Sequence, residues 1–276
     1  MKIFPIASSS DGNCTFIKTG SASILIDCGL SLRQLKRVIG SEQLNGLDAV
    51  FITHEHSDHI KGLDTLSKKL DVPVYMNHSS YLVRAHQLRN THPLSLEAGM
   101  QIQINDIIIS PFEVEHDTVS TFGFRIEEIG SINLCYLTDC GRLTEEHLAL
   151  LYESDVAMIE FNYNEGMLAS FPDYDDFLKA RIAGTHLSNS ETLDAIEQLG
   201  IENFDMIIPA HLSPRTNSPR QLISEISDRF PDSLSRFFIA PFGEAFNIDR
   251  FRAIKYKESD TVTINGNNNE MSGYCK

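Results

Sequence analysis

Four side chains able to bind a divalent metal fall within six consecutive residues: His54, His56, Asp58 and His59, in the run Thr53-His54-Glu55-His56-Ser57-Asp58-His59. Imidazole and carboxylate are the donors that hold zinc and related ions. Sites that do chemistry gather such donors while leaving a position open for water. The bland reading is a His-rich surface loop, but the spacing His-x-His-x-Asp-His is far more restrictive than His richness. We read the run as a metal site for two ions. The apolar stretch Ala49-Val50-Phe51-Ile52 stands directly before it, so a strand should end in the cluster and carry the ligands at its tip.

The elements that must hold this tip are legible from apolar and β-branched runs. Strands are expected over residues 2–6, 14–18, 24–27, 49–53, 74–76, 101–104, 107–110, 121–126, 132–138, 156–159, 206–209 and 236–239. Helices are expected over 32–39, 79–88, 145–152, 191–199 and 220–229. Ser188 with Glu191 makes a capping box, and Ser218 precedes a first-turn Pro219. Two Asp-Cys-Gly turns, Asp27-Cys28-Gly29 and Asp139-Cys140-Gly141, each follow an apolar strand and point to a duplicated half. Residues 1–258 are expected to form one domain. From Ser259 to the end, including Asn265-Gly266-Asn267-Asn268-Asn269, apolar content is low and disorder is expected.

Composition bounds the class. A chain of 276 residues can bury one sizeable core. No apolar run is long enough to span a membrane and no basic-then-apolar leader is visible, which makes cytoplasmic residence the default expectation. The five cysteines are odd in number and form no CxxC pair, so neither a disulfide framework nor a cysteine zinc knuckle is indicated. Cys28 and Cys140 are read as small buried filler, reduced like the rest. Lys+Arg 23 against Asp+Glu 38 leaves a net charge of −15, which opposes a duplex binder with a broad basic face. The charge is uneven, however. Over residues 60–92, Lys61, Lys68, Lys69, Arg84 and Arg89 outnumber Asp64 and Asp71; residues 211–257 are mildly basic, and 139–205 are strongly acidic.

On these motifs the chain resembles the metallo-β-lactamase superfamily of metal-dependent hydrolases. The resemblance implies an α/β (α+β) fold, the four-layer αββα sandwich. It also implies a ligand set: His54, His56 and His116 on one ion, Asp58, His59 and His211 on the other, Asp139 bridging both, and Asp27 bracing the ligand loop. His186 stands as an alternative to His211. Within the superfamily the chain resembles the YycJ/WalJ (VicX) branch over nearly its whole length up to the tail. The marks are Ala7-Ser8-Ser9-Ser10-Asp11-Gly12-Asn13-Cys14, Glu160-Phe161-Asn162-Tyr163-Asn164, His186-Leu187-Ser188-Asn189 and His211-Leu212-Ser213. Ser9 departs from the Gly common at that place.

That branch is described as metal-dependent nucleases with 5′ to 3′ DNA exonuclease activity. The resemblance therefore implies a phosphodiesterase with two divalent metal ions, Zn²⁺ or else Mn²⁺ or Fe²⁺, and a nucleic acid substrate, DNA, with no membrane partner. A hydroxide bridging the two ions would be the nucleophile, Asp58 would help position it, and His186 paired with Glu160 would protonate the leaving oxygen. Expected substrate contacts are Ser8, Ser10, Asn13, Asn162, Ser188, Asn189, Arg215 and Asn217, with the Arg215 guanidinium forking onto phosphate at the mouth of the site. Two alternatives stand beside this reading: a thioester or lactone hydrolase of the same fold, and a metal-binding regulatory protein without turnover.

Overall fold

Strands that are apolar at every position must be covered on both faces, and the central strands here are of that kind. The computed structural model describes residues 1–239. Its strands are β1 (Lys2–Ser9), β2 (Gly12–Lys18), β3 (Ser23–Ile26), β4 (Ala49–Phe51), β5 (Val74–Met76), β6 (Leu94–Ser95), β7 (Ile102–Ile104), β8 (Ile107–Val114), β9 (Thr121–Glu128), β10 (Asn133–Leu137), β11 (Val156–Glu160) and β12 (Met206–Ala210). They form two six-stranded sheets, β1 to β6 and β7 to β12, each in chain order.

Alternate residues of one strand enter different layers. In β4, Ala49 and Phe51 face the core between the sheets, with Ile24, Phe124, Tyr136, Met158 and Ile208. Val50 faces the helical layer outside the first sheet, with Leu35, Leu63 and Leu66. In β11, Val156 and Met158 take the inner core, while Ala157 and Ile159 pack outward with Leu193, Ile196 and Leu222. Helix, sheet, sheet and helix are the four layers expected, and the fold is α+β.

The two sheets repeat one plan. Each begins with antiparallel pairs and ends with parallel ones, the change falling at β3 in the first sheet and at β10 in the second. The paired Asp-Cys-Gly turns follow those two strands. Cys14, Cys28, Cys135 and Cys140 are buried and free.

Some elements differ from expectation. No strand forms over 236–239; a 3₁₀ turn, Leu234–Arg236, leads into a single bridge between Phe237 and Ile207. The helix expected over 79–88 is His78–Arg84. Helices at Leu63–Lys69, Glu165–Ser170 and Asp176–Thr185 were not legible. The domain boundary at 258 and the tail over 259–276 lie outside the described residues. Among the described residues no helix is long and apolar enough to cross a membrane.

Candidate metal centre

The parallel strands end at one rim of the sandwich, and their last residues or the turns beyond them supply the site. Asp27 follows β3, His54 to His59 follow β4, Asp139 follows β10, Glu160 closes β11 and His211 follows β12. Three of these turn sharply: Asp27, Asp139 and His211 have φ of 62°, 56° and 53°. Asp and His tolerate the left-handed region better than most side chains, yet each such residue still costs on the order of 1–3 kcal/mol. The turns swing their side chains inward, and the neighbouring hydrogen bonds hold them there.

The loop after β4 is pinned from several sides. Phe122 N donates to the Thr53 carbonyl at 3.0 Å, tying the loop to the second sheet. Arg84 Nε donates to the Glu55 carbonyl at 3.0 Å, and Val119 N donates to Glu55 Oε1 at 3.0 Å. Cys28 N donates to the His59 carbonyl at 2.7 Å. Gly29 passes so close that a Cβ there would lie 1.7 Å from the Asp58 carbonyl oxygen.

One hydrogen-bond pattern recurs through the histidines. Nδ1 of His54 meets the Thr53 hydroxyl at 3.0 Å, Nδ1 of His59 donates to Asp27 Oδ2 at 2.8 Å, and Nδ1 of His116 donates to the Thr185 carbonyl at 2.8 Å. Nδ1 of His211 and Nδ1 of His186 each donate to Glu160 Oε1 at 2.8 Å. Fixing Nδ1 in this way selects the tautomer whose Nε2 is free to bind a metal. Thr53 is the hub on the first side: its backbone N and its hydroxyl both reach Asp27 Oδ1 at 2.9 Å. Glu160 is the hub on the second, where its Oε2 accepts from Cys140 N at 2.8 Å.

The free ends converge. Ligand atoms of His54, His56 and His116 lie within 4.8 Å of one another, as do those of Asp58, His59 and His211, and those of His54, His59 and Asp139. Asp139 approaches both groups, 3.8 Å from His116 Nε2 through Oδ1 and 3.5 Å from His59 Nε2 through Oδ2. His211 Nε2 is 3.9 Å from Asp58 Oδ2. His186 instead groups with Asp139, Glu160 and His211. Nε2 of His54, His116 and His211 and Oδ2 of Asp139 are buried without a hydrogen-bond partner. Stranded polar atoms are rare in folded proteins and cost about 1–3 kcal/mol each. Four of them facing one space fit a bound cation.

The electrostatics follow the same geometry. Burial lowers the pKa of His54, and the neighbouring histidines lower it further, which keeps the ring neutral as a ligand must be. Burial likewise lowers His116. Against burial, which disfavours its charge, His186 and His211 hold the Glu160 carboxyl well below the usual carboxylate range. His211 is pushed up to about 10: burial opposes its charge, but Asp139, Asp58 and Glu160 outweigh that opposition. A cation on Nε2 would take the place of that proton.

The expected substrate contacts divide. Asn13 is buried, with Nδ2 3.0 Å from Asp58 Oδ2 and 2.9 Å from His59 Nε2, so it touches the ligands themselves. The Ser8 hydroxyl accepts from His211 N at 2.7 Å and braces that turn. Ser10 is exposed at the tip of the hairpin between β1 and β2. Arg215 is exposed, its guanidinium 6.0 Å from the centre of the Tyr174 ring. Asn162, Ser188, Asn189 and Asn217 are all buried and committed to internal bonds. Asn162 Nδ2 donates to the His211 carbonyl at 3.0 Å, and Ser188 caps the helix Asn189–Leu199. Asn189 and Asn217 bond each other, and Asn217 also donates to the Phe161 carbonyl at 2.9 Å. Asn162, Ser188 and Asn217 thus satisfy backbone groups, and Asn189 holds Asn217 in place. Sequence reasoning missed Thr53, the Thr185 carbonyl, the bond between Glu160 and His211, and Asp117, whose Oδ1 lies 3.2 Å from His116 Nε2. Only Thr53 carried a signal, its place beside the ligand run.

A family model described as the Beta-lactamase superfamily domain matches residues 22–211. The chain is 29% identical over 221 residues to the exodeoxyribonuclease WalJ of Streptococcus pneumoniae serotype 2, covering 77% of this chain and 81% of that protein. It is 28% identical over 219 residues to the exodeoxyribonuclease YycJ of Bacillus anthracis, covering 77% and 82%. Its fold is similar to that of the metallo-β-lactamase fold protein YhfI from Bacillus subtilis, with a TM-score of 0.67, 20% identity, and 88% of this chain and 98% of that one covered.

Proposed function

The chain belongs to the metallo-β-lactamase superfamily, and on that premise we propose that it is a dinuclear metal-dependent phosphodiesterase, a DNA exonuclease working 5′ to 3′. The names of the WalJ and YycJ relatives support the substrate. His54, His56 and His116 would hold one divalent ion, Asp58, His59 and His211 the other, and Asp139 both; mixed imidazole and carboxylate donors suit Zn²⁺, Mn²⁺ or Fe²⁺. Such a pair, when bound, supplies an activated water and neutralises the charge that builds on a phosphoryl group.

The chain's own residues divide the remaining work. Asp27 and Thr53 orient His59 and His54, and Glu160 orients His211. Asn13 steadies Asp58 at the edge of the second position. His186 is the general acid: its Nδ1–H is held on Glu160, so Nε2 is the atom that passes a proton to the leaving oxygen. The observation that carries this reading is the bonding of one carboxylate, Glu160, to two histidines, of which only His211 groups with Asp58 and His59.

The test is a pair of substitutions. His186→Ala should keep both ions and lose roughly 10²–10⁴ in phosphodiester cleavage, the usual scale for a missing general acid. His211→Ala should lose metal. The reverse pattern in metal analysis would exchange the two roles, and no loss of cleavage in His186→Ala would remove the acid from the mechanism.

A further inference from the structure

The helix Asp176–Thr185 buries none of its residues, although it contains Phe177, Leu178, Ala180 and Ile182. Leu178 and Ile182 are half-buried and no residue is fully so; a helix with so little buried surface is held largely by its polar contacts, and here those contacts lead to the metal centre. Thr185 at its carboxyl end presents its carbonyl to His116, and His186 follows directly. One turn back, Arg181 Nε donates to Asp117 Oδ2 at 2.6 Å, while Asp117 Oδ1 lies beside His116. Residues four apart share a face, so Phe177, one further turn back, lies in line with Arg181 and Thr185. At the helical rise this places it about 12 Å out from Thr185. Phe177 is 80% exposed, more than any other large hydrophobic side chain among the described residues. The turn before it holds two more rings, Phe171 and Tyr174, with centroids 4.6 Å apart, and Arg215 lies over Tyr174.

Resting on the phosphodiesterase reading, we propose that this helix is a base-stacking subsite for the unpaired end of a polynucleotide strand, with Phe177 as its platform. An exposed aromatic face binds any nucleobase through its π surface, whatever the sequence, and Tyr174 beneath Arg215 offers a second ring in the preceding turn. Charge decides between a base and a phosphate as the recognised group. Asp173, Asp175 and Asp176 stand just before Phe177 in sequence, and Arg181 is already paired with Asp117. A surface this acidic offers the phosphates no grip, which leaves the faces of the bases as the groups it can hold. A base pair within a duplex is stacked on both faces and a terminal pair offers only one, already paired and stiff, so the platform favours single-stranded ends. The same preference accommodates the net charge of −15.

The chain contains no tryptophan, so Phe177→Trp, in the metal-loaded protein with His186→Ala to suppress turnover, introduces a lone reporter. Its fluorescence should be quenched by a single-stranded oligodeoxynucleotide and not by a blunt duplex of the same sequence. In the otherwise unaltered enzyme, Phe177→Ala should raise KM for the single strand roughly 10-fold and leave hydrolysis of bis(p-nitrophenyl) phosphate unchanged. Phe177→Trp should retain the parental KM. An unchanged KM in Phe177→Ala, with the parent degrading the strand normally, would overturn the subsite and leave the phosphodiesterase reading intact. A parent that cleaves the small diester but no polynucleotide would overturn the polynucleotide reading itself, and the subsite with it.

Discussion

Four of the five proposed ligand histidines, His54, His59, His116 and His211, have Nδ1 committed to a partner that is not a ligand, and that commitment suits the cluster to binding metal. Asp27 is the clearest case. It is fully buried, and its carboxylate takes the His59 Nδ1–H and the Thr53 groups. Asp27→Asn replaces an ionic acceptor with an amide that cannot satisfy both partners. Metal affinity should fall about 10- to 100-fold, the range for lost partners of this kind, as read by titration of the metal-free protein. Unchanged affinity would mean that Thr53 alone fixes the ring. The ligand types were legible because His-x-His-x-Asp-His is compact in sequence. The partners were not, since the Thr185 carbonyl stands 69 residues from His116 and a backbone acceptor leaves no mark on a sequence. The internal bonds of Asn162, Ser188, Asn189 and Asn217 were not legible for a related reason: a polar residue beside a motif resembles a substrate contact, and a buried turn also needs side chains to satisfy its own polar groups.

At the scale of elements, strands were read more reliably than helices because burial on both faces writes continuous apolar runs. The strand after β3, for instance, was visible as Ala49-Val50-Phe51-Ile52, each residue fully buried. The helix Asp176–Thr185 has no fully buried residue, and of its apolar residues only Leu178 and Ile182 are half-buried, on one face, too short an apolar stripe to read. The two Asp-Cys-Gly turns were legible as a repeat, and the structure gives the reason for their form. Each aspartate adopts a left-handed turn, and each glycine passes against another backbone: Gly29 against Asp58, Gly141 against Gly184, whose oxygen would lie 2.6 Å from an added Cβ. Gly29→Ala should push the ligand loop away. A cost of roughly 3 kcal/mol is the scale for overpacking of this kind, which corresponds to a Tm lower by about 6–12 °C, with metal affinity reduced alongside. Gly184→Ala is the control, since a methyl there meets nothing within 4 Å, and it should leave Tm near the parental value. Equal Tm for both variants would contradict the close approach at Gly29.

For the molecule as a whole, the acidic balance is the property that sits least easily with a polynucleotide substrate, and it makes salt dependence informative. Arg215 is exposed at the rim, with Asp11 and Asp173 nearby and Tyr174 beneath it. If its guanidinium meets a phosphate, Arg215→Ala should weaken polynucleotide binding and reduce the slope of log K against log salt by about 0.7 on a single strand, one contact's worth. Cleavage of a small chromogenic diester should hardly change. Equal losses on both substrates would place Arg215 in the support of the centre instead. The central claim, that the converging histidines and aspartates form a metal centre that cleaves polynucleotides from the 5′ end, is tested most directly with end-labelled strands. Metal-free protein should leave 5′-labelled single-stranded DNA intact. Reconstitution with two equivalents of Zn²⁺ or Mn²⁺ should release the label as short products from the outset, while 3′-labelled strands shorten progressively. Full activity without metal, or a fully loaded protein that leaves every labelled DNA intact, would contradict the account.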